Sequence, residues 1–259
     1  MRPLSAVVRA ALRPAEVPAG PGVLRAWLRT PRVFDLVSCA LQLRDLARVA
    51  RIHEGNADDE FYARVKQYNA GVTQRKRIST TRRAEMLYQM LTTPARDLRA
   101  ERLLVVGPRN VQELFIAWLY GYRWSRIHAI DLYSTRPKIT VMNMEAVGFR
   151  DGAFDAIVMA NTLAYAKDTF RCLGEMARVL TPGGRFVFGA TYFPGSRDWP
   201  GNLLSGTDIR EMLKRLEFRL IGYQATDKVN ALGGRQTAHV FAVQKSDPAQ
   251  PGFDRVSWM

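Results

Sequence analysis

A glycine turn and a later acidic residue are the features of this sequence that point most directly to chemistry. Gly107 follows an apolar run, Leu103–Val106, and Asp131 ends a second run over residues 126–131. In open α/β sheets a ligand binds outside the carboxyl ends of the strands, where a glycine turn meets a helix N-terminus. An acid about 20 residues beyond the turn can accept hydrogen bonds from both hydroxyls of a ribose. The spacing therefore predicts a site for a nucleoside-containing cofactor.

The elements that must position these residues alternate between strands and helices. The apolar run before Gly107 is typical of a buried strand, and Val111–Tyr120 has the pattern of the helix that follows it. Further strands are predicted within residues 126–131, 141–145, 149–160, 186–190, 218–223 and 239–244. A last helix is predicted over residues 207–216. This order indicates an α/β domain.

Two downstream motifs indicate which cofactor fits. Residues 149–155 read FRDGAFD, and residues 175–184 read EMARVLTPGG. Together with the turn and the strand acid, they resemble the class I S-adenosylmethionine-dependent methyltransferases, particularly the small-molecule, type 11-like branch. The resemblance covers roughly residues 101–244. It implies a doubly wound, mostly parallel seven-stranded sheet with a Rossmann-like fold, its last strand antiparallel, and S-adenosylmethionine as cofactor.

The turn itself departs from the usual pattern of that superfamily. Its members carry an acid two residues before the first glycine, where this chain has Val105, and further glycines in the turn, where only Gly107 remains. Residues 107–109 (GPR), 113–114 (EL) and 131–134 (DLYS) match a variant subset of the superfamily. Since Val105 cannot bind the methionine amino group, both an active enzyme and a non-catalytic relative stay open.

The resemblance assigns cofactor contacts to residues at the carboxyl ends of the strands. They are Gly107, Pro108, Arg109, Asp131, Leu132, Asn143, Met144, Ala160 and Asn161, with Thr162 beside them. Asn143 is expected to hydrogen-bond the adenine amino group. Met144 is expected either to pack on the adenine ring or to belong to the core. Glu113 is predicted to be a helix-surface or capping acid, and a helix cap is the alternative role for Asp131.

The residues predicted to orient a methyl acceptor are Asn161, Tyr165 and Tyr192. No general base can be named from the three histidines, His53, His128 and His239, of which the last two fall in strand patterns and are predicted to be structural. Methyl transfer does not require a base, because alignment alone can supply roughly 7–11 kcal/mol and a base only about 10²–10⁴-fold. Metal-ligand spacings such as CxxC or HExxH are absent from the sequence, so no metal is predicted.

Composition narrows the classes of protein that this chain can be. The formal net charge of the chain is +14. Residues 1–100 contain 18 Lys+Arg and 9 Asp+Glu, a net charge of +9, so a net charge of about +5 remains for the rest of the chain. A solvated basic surface is favoured over nucleic-acid binding, since no nucleic-acid module accompanies the charge. No apolar run has the 18 or more residues typical of a membrane span. Two cysteines far apart in sequence, Cys39 and Cys172, fit a reducing cytoplasm.

Four segments are expected along the chain. Residues 1–21, with four prolines, are predicted to lack stable structure. Residues 22–100 are predicted to form helices, among them 58–69 and 83–91, that act either as a lid over the site or as a surface for a second copy or partner protein. Residues 101–245 form the methyltransferase-like domain, and 246–259 a tail.

The function expected from these features is methyl transfer from S-adenosylmethionine to an oxygen or nitrogen of a small molecule. A non-catalytic methyltransferase-like subunit is the first alternative. An RNA-directed methyltransferase is the second, and it rests on charge alone. A nicotinamide dehydrogenase is disfavoured, because the turn lacks the three-glycine spacing of that class.

Overall fold

A mixed seven-stranded sheet with helices on both faces forms the centre of the protein. The computed structural model describes residues 21–45, 51–52, 59–75, 85–95, 97–108, 110–192, 204–229 and 234–249. The described strands are β1 (Arg51–Ile52), β2 (Leu103–Val106), β3 (Ile127–Asp131), β4 (Tyr133–Ser134), β5 (Thr140–Val141), β6 (Phe154–Met159), β7 (Leu180–Tyr192), β8 (Phe218–Val229) and β9 (Arg235–Lys245). The described α-helices are α1 (Pro21–Leu28), α2 (Pro31–Asp45), α3 (Glu60–Arg75), α4 (Glu85–Thr92), α5 (Val111–Tyr120), α6 (Thr169–Val179) and α7 (Gly206–Arg215).

The strand order of the large sheet is β5-β3-β2-β6-β7-β9-β8. The pairs from β5 to β7 are all parallel, and β9 runs antiparallel to both of its neighbours, β7 and β8. This is the doubly wound, mostly parallel sheet that the sequence predicts, so the predicted fold class is confirmed. Because β2, β3 and β6 are parallel neighbours, their carboxyl ends meet at one edge of the sheet, where Gly107 and Asp131 lie.

Three strands, β7, β8 and β9, extend beyond the ranges predicted for them. β5 is the short strand predicted before a turn, and it covers two residues. β7 begins six residues before the predicted strand and includes the TPGG motif as a bulge, with the register shifting between its Leu180 and Arg185 pairings to β6. Gly183 supplies the positive φ of +71° inside this bulge.

Apolar side chains cover both faces of the sheet. On one face Phe186, Phe188 and Phe241 are fully buried, and their rings stack with centroids 4.6 and 5.1 Å apart. On the other face α4 and α5 cover the sheet with buried side chains that include Tyr88 and Leu114. A parallel sheet buried on both faces requires near-continuous apolar strands, which β2 and β6 provide.

Part of the N-terminal segment contacts the domain near the carboxyl edge of the sheet. On α2, the Ser38 carbonyl accepts a hydrogen bond from Gln112 of α5 at 3.2 Å. β1 pairs antiparallel with β4, which begins two residues after Asp131. Whether the segment acts as a lid or as a partner surface stays a prediction. None of the described helices combines the length and the apolar character that crossing a bilayer requires.

Candidate functional site

The turn after β2 is built around Gly107. Its φ is +64°, its N–H donates to the Ile130 carbonyl at 2.8 Å, and its own carbonyl accepts from the Thr162 hydroxyl at 3.2 Å. A Cβ on Gly107 would lie 2.2 Å from the Thr162 side chain. Glycine is required here both by backbone conformation and by space. Pro108 beside it is buried, and Arg109, another predicted contact, lies outside the described residues.

Asp131 ends β3 on the same edge of the sheet and is half-buried, as is Leu132 after it. Burial raises the pKa of its carboxyl to about 7, the N–H groups of Tyr133 and Leu132 oppose this, and the negative charge of Glu113 adds to it. Oδ1 accepts from the Tyr133 N–H at 3.3 Å, and the strand β4, not a helix, follows Asp131, so the structure does not show the helix cap. Among the described residues no cation pairs with this carboxylate. Its acceptor capacity suits a ligand that donates hydrogen bonds, such as a ribose diol.

Glu113 is buried in the first turn of α5, with 2% of its surface exposed, so its predicted place on the helix surface is wrong. The cap of α5 is Asn110, whose Oδ1 accepts from the Glu113 N–H at 3.3 Å. The Glu113 carbonyl accepts from the buried Tyr88 hydroxyl at 3.4 Å. A buried carboxylate therefore lies in the turn that follows Gly107, within electrostatic reach of Asp131.

A hydrogen-bonded group joins α3 to the turn after β5. The Tyr62 hydroxyl donates to Glu145 Oε1 at 2.5 Å, and Asn143 Nδ2 donates to the Tyr62 oxygen at 3.2 Å. Asn143 Oδ1 accepts from the Glu145 N–H at 2.9 Å, and Glu145 Oε1 also accepts from the Lys167 N–H at 2.5 Å. Burial, then the contact with Glu145, raises the pKa of Tyr62. Asn143, predicted to bind adenine, thus uses its oxygen and one N–H within the protein.

Two other predicted contacts are buried beneath the edge. Met144 is 5% exposed and Ala160 is 6% exposed, and both pack in the core. For Met144 the structure supports the core alternative, because so little of its side chain is left for a ring to cover. Sequence patterns did not identify Tyr62 and Glu145 as site residues.

Asn161 adopts a left-handed backbone conformation, with φ of +56°, directly after β6. Its Oδ1 lies 3.5 Å from the Thr191 hydroxyl of β7. It also lies against Gly189, where an added Cβ would be 2.7 Å from this oxygen. Asparagine is among the few non-glycine residues that accept this conformation. Asn161 is therefore held at the carboxyl ends of two neighbouring strands, where a reactive centre is expected.

The two predicted tyrosines lie on either side of this position. Tyr165 is half-buried, and its ring centroid is 6.2 Å from that of Tyr68 on α3. Tyr192 is the half-buried last residue of β7 and pairs with Thr237 of β9. No contact among the described residues joins the two phenol groups. Their predicted roles in orienting an acceptor stay predictions.

Two cavities lie at opposite ends of the sheet. One, of about 840 Å³, is lined by the hydrogen-bonded residues that join α3 to the turn after β5 and by the start of α6. Its lining residues include Asp59, Tyr62, Asn143 and Thr169. The other, of about 880 Å³, is lined by the TPGG motif and the end of β9, at the amino ends of the parallel strands. Ligands of open α/β sheets bind at the carboxyl ends, so the first cavity lies on the expected side of the sheet. Of the predicted cofactor contacts, Asn143 lines it and Gly107 and Asp131 do not.

The described histidines do not approach this edge as catalytic groups. His128 lies in β3 with its ring against Phe149 and Phe154. His239 is buried in β9 with Nδ1 2.9 Å from the Tyr223 hydroxyl. Burial lowers the pKa of both. His53 lies outside the described residues, and within the described ranges no group of acidic, histidine and cysteine side chains could hold a metal.

Comparison with known proteins gives a family match and several structural matches. Residues 119–188 match the family model described as a methyltransferase domain, a range that begins after Gly107 and includes Asp131, Asn143 and Asn161. No curated protein sequence matches the chain significantly. The matched range therefore includes the predicted site residues from Asp131 to Tyr165 and leaves out the glycine turn.

Three solved structures share the fold at low sequence identity. The 1,6-didemethyltoxoflavin-N1-methyltransferase of Burkholderia thailandensis, bound to its substrate and S-adenosylhomocysteine, is 16% identical with a TM-score of 0.57, over 78% of this chain and 93% of that one. A candidate methyltransferase of Bacillus halodurans C-125 is 13% identical with a TM-score of 0.51, over 62% and 97%. The cyclase SpnF is 15% identical with a TM-score of 0.51, over 64% and 80%.

Proposed function

We propose that the chain is a member of the class I S-adenosylmethionine-dependent methyltransferase superfamily, and that it transfers the methyl group of S-adenosylmethionine to an oxygen or nitrogen of a small molecule. The observation that carries this proposal is the Asp131 carboxylate. It ends β3 beside the Gly107 turn, is half-buried, and has no cation paired with it among the described residues. A ribose diol would supply the two donors that such a carboxylate requires.

The bound cofactor would supply an electrophilic methyl group on a positively charged sulfur. The residues of the chain would bind the cofactor and orient the acceptor. Asp131 would hold the ribose, and Gly107 permits the close approach of the backbone. At the ends of β6 and β7, Asn161, Tyr165 and Tyr192 would orient the acceptor so that its lone pair faces the methyl carbon. Such alignment supplies much of the rate enhancement without a general base.

The methionine end of the cofactor lacks the usual acid. Val105 at that position is 3% exposed and cannot bind an ammonium group. We propose that backbone carbonyl groups around Gly107 hold the ammonium group instead. Charge-assisted hydrogen bonds of this kind contribute about 1.5–3 kcal/mol.

The first experiment compares S-adenosylmethionine with methylthioadenosine, which lacks the amino-acid end. The wild-type protein should bind S-adenosylmethionine at least about tenfold more tightly, because the contact with the amino-acid end is worth about 1.5–3 kcal/mol. Calorimetry measures both affinities. If the two ligands bind wild-type protein equally, the amino-acid end is not recognised and the enzyme proposal loses its support.

The second experiment looks for product. Purified protein is incubated with methyl-labelled S-adenosylmethionine and a panel of phenols, amines and sugars. Label transferred to any of them supports the proposed class of acceptor. Absence of transfer, together with equal affinity for the two ligands above, would favour the alternative below.

The alternative is a non-catalytic methyltransferase-like subunit. The observation in its favour is Val105 together with the single glycine of the turn. The fold of SpnF, described as a cyclase, is similar to that of this chain, so the fold alone does not decide for methyl transfer. An RNA-directed methyltransferase remains the second alternative, and its support is the charge of +14. Tight, salt-resistant RNA binding would favour it.

A further inference from the structure

Five large apolar side chains of the first two helices are exposed. On α1, Val23, Leu24 and Trp27 are 43%, 51% and 60% exposed, and on α2, Leu36 and Leu43 are 73% and 57% exposed. Offsets of one and four residues on α1, and of seven on α2, place each set on one side of its helix. The two helices contact each other. We call these five side chains the outer helix face.

The opposite side of α1 carries its arginine and faces the domain. The Arg25 guanidinium lies 4.7 Å from the centre of the Trp118 ring. Just past the helix end, Arg29 lies 5.5 Å from the Tyr120 ring and donates from Nε to the Leu119 carbonyl at 3.1 Å. A surface helix normally buries its apolar side and exposes its charges. Here Arg25 faces the domain and, apart from the buried Leu28, the large apolar side chains of α1 stay exposed, so packing among the described residues does not explain them.

The charge of this region indicates the kind of partner. Residues 1–45 contain seven arginines against three acids, Glu16, Asp35 and Asp45, within a chain of net charge +14. Two copies of such a chain repel each other, whereas an anionic surface attracts both. RNA supplies negative charge but no hydrocarbon to cover leucine and valine. An anionic lipid bilayer supplies both, and tryptophan is enriched at the bilayer interface.

We propose that the outer helix face binds the surface of an anionic membrane, with its apolar side chains entering the headgroup region and the net positive charge of the chain adding electrostatic attraction. The association is peripheral, since it needs no spanning helix. It does not depend on the proposed methyl transfer.

The test is co-sedimentation of the full chain with vesicles of phosphatidylcholine alone and of phosphatidylcholine mixed with equal phosphatidylglycerol. The wild-type protein should pellet with the anionic vesicles, and binding should weaken as salt rises. Trp27→Ser and Leu36→Ser should each weaken it about tenfold, because each removes an apolar side chain from the interface. Val229→Ser removes a side chain that is 69% exposed on β8 and should leave binding unchanged.

A second readout keeps the test independent of folding. All three variants change exposed side chains, so their thermal unfolding should match that of the wild type. Failure of the wild type to pellet with anionic vesicles overturns the proposal. So does equal weakening by Val229→Ser, or a dimer in solution that Leu36→Ser dissociates. Binding to a single-stranded RNA that is tighter than binding to anionic vesicles, and that Trp27→Ser leaves intact, also overturns it.

Discussion

Asp131 gives the sharpest prediction, because it links stability and ligand binding to pH. Burial raises the pKa of its carboxyl from 3.8 to about 7. Between these values the carboxyl is ionised in the unfolded chain and protonated in the folded one. The stability that the protonated form contributes is fully present below about pH 4 and is lost as the pH rises to about 7. Above pH 7 the folded protein carries the whole cost of the buried charge.

The magnitude follows from the size of the shift. Roughly three pKa units at 1.36 kcal/mol each give an upper value of about 4 kcal/mol. Asp131→Asn keeps the shape of the side chain but cannot ionise. We therefore expect the variant to be more stable than the wild type at pH 8 by up to about 4 kcal/mol, and nearly equal to it at pH 4.

Ligand binding should change in the opposite direction. The ionised carboxylate is the stronger acceptor for a ribose diol, so the wild-type affinity for S-adenosylhomocysteine should rise between pH 6 and pH 8. Asp131→Asn loses charge-assisted hydrogen bonds worth about 1.5–3 kcal/mol, which is roughly a 10- to 150-fold loss of affinity at pH 8. Its affinity should be nearly independent of pH over this range.

The assays are calorimetric titration with S-adenosylhomocysteine at pH 6, 7 and 8, and urea denaturation at pH 4, 6, 7 and 8. Asp227→Asn changes an exposed acid on β8, away from the site, and serves as the matched control. A gain in stability with a loss of affinity is the expected signature of an acid kept for function. If Asp131→Asn binds the ligand as tightly as the wild type at pH 8, Asp131 is not the ribose acceptor.

Three further substitutions test the geometry of the site by urea denaturation. Gly107→Ala should lower the free energy of unfolding by about 1–3 kcal/mol, because Gly107 has a positive φ and an added Cβ clashes with Thr162. Adding Thr162→Gly should restore only the part of this loss that is due to the clash. Tyr62→Phe should cost about 1–3 kcal/mol, since Glu145 loses a buried donor; an unchanged midpoint would mean that water replaces it. Asn161→Gly should leave the free energy of unfolding unchanged, whereas Asn161→Ala should lower it by about 1–2 kcal/mol, because φ is +56° at this position. Equal stability of the two variants would contradict the inferred strain.

The sequence by itself determined the fold class and the frame of the site. Val111–Tyr120 is a helix with both ends where the pattern placed them, and Leu103–Val106 is the buried strand before it. Gly107 and Asp131 meet at one edge because parallel strands bring their carboxyl ends together. These features follow from periodicity, glycine placement and the order of the elements along the chain, all of which can be read from the sequence.

Tertiary structure alone decided which side chains reach that edge. Tyr62 meets Glu145 across 83 residues of sequence, and β1 pairs with β4 across a similar distance. Glu113 is buried even though its residue type predicted exposure. The reason is physical: periodicity records which side of an element is apolar, whereas the burial of a polar side chain depends on the partner that packing brings to it. Such a partner comes from a distant segment, so no local pattern could place Tyr62 against Glu145 or turn Glu113 inward.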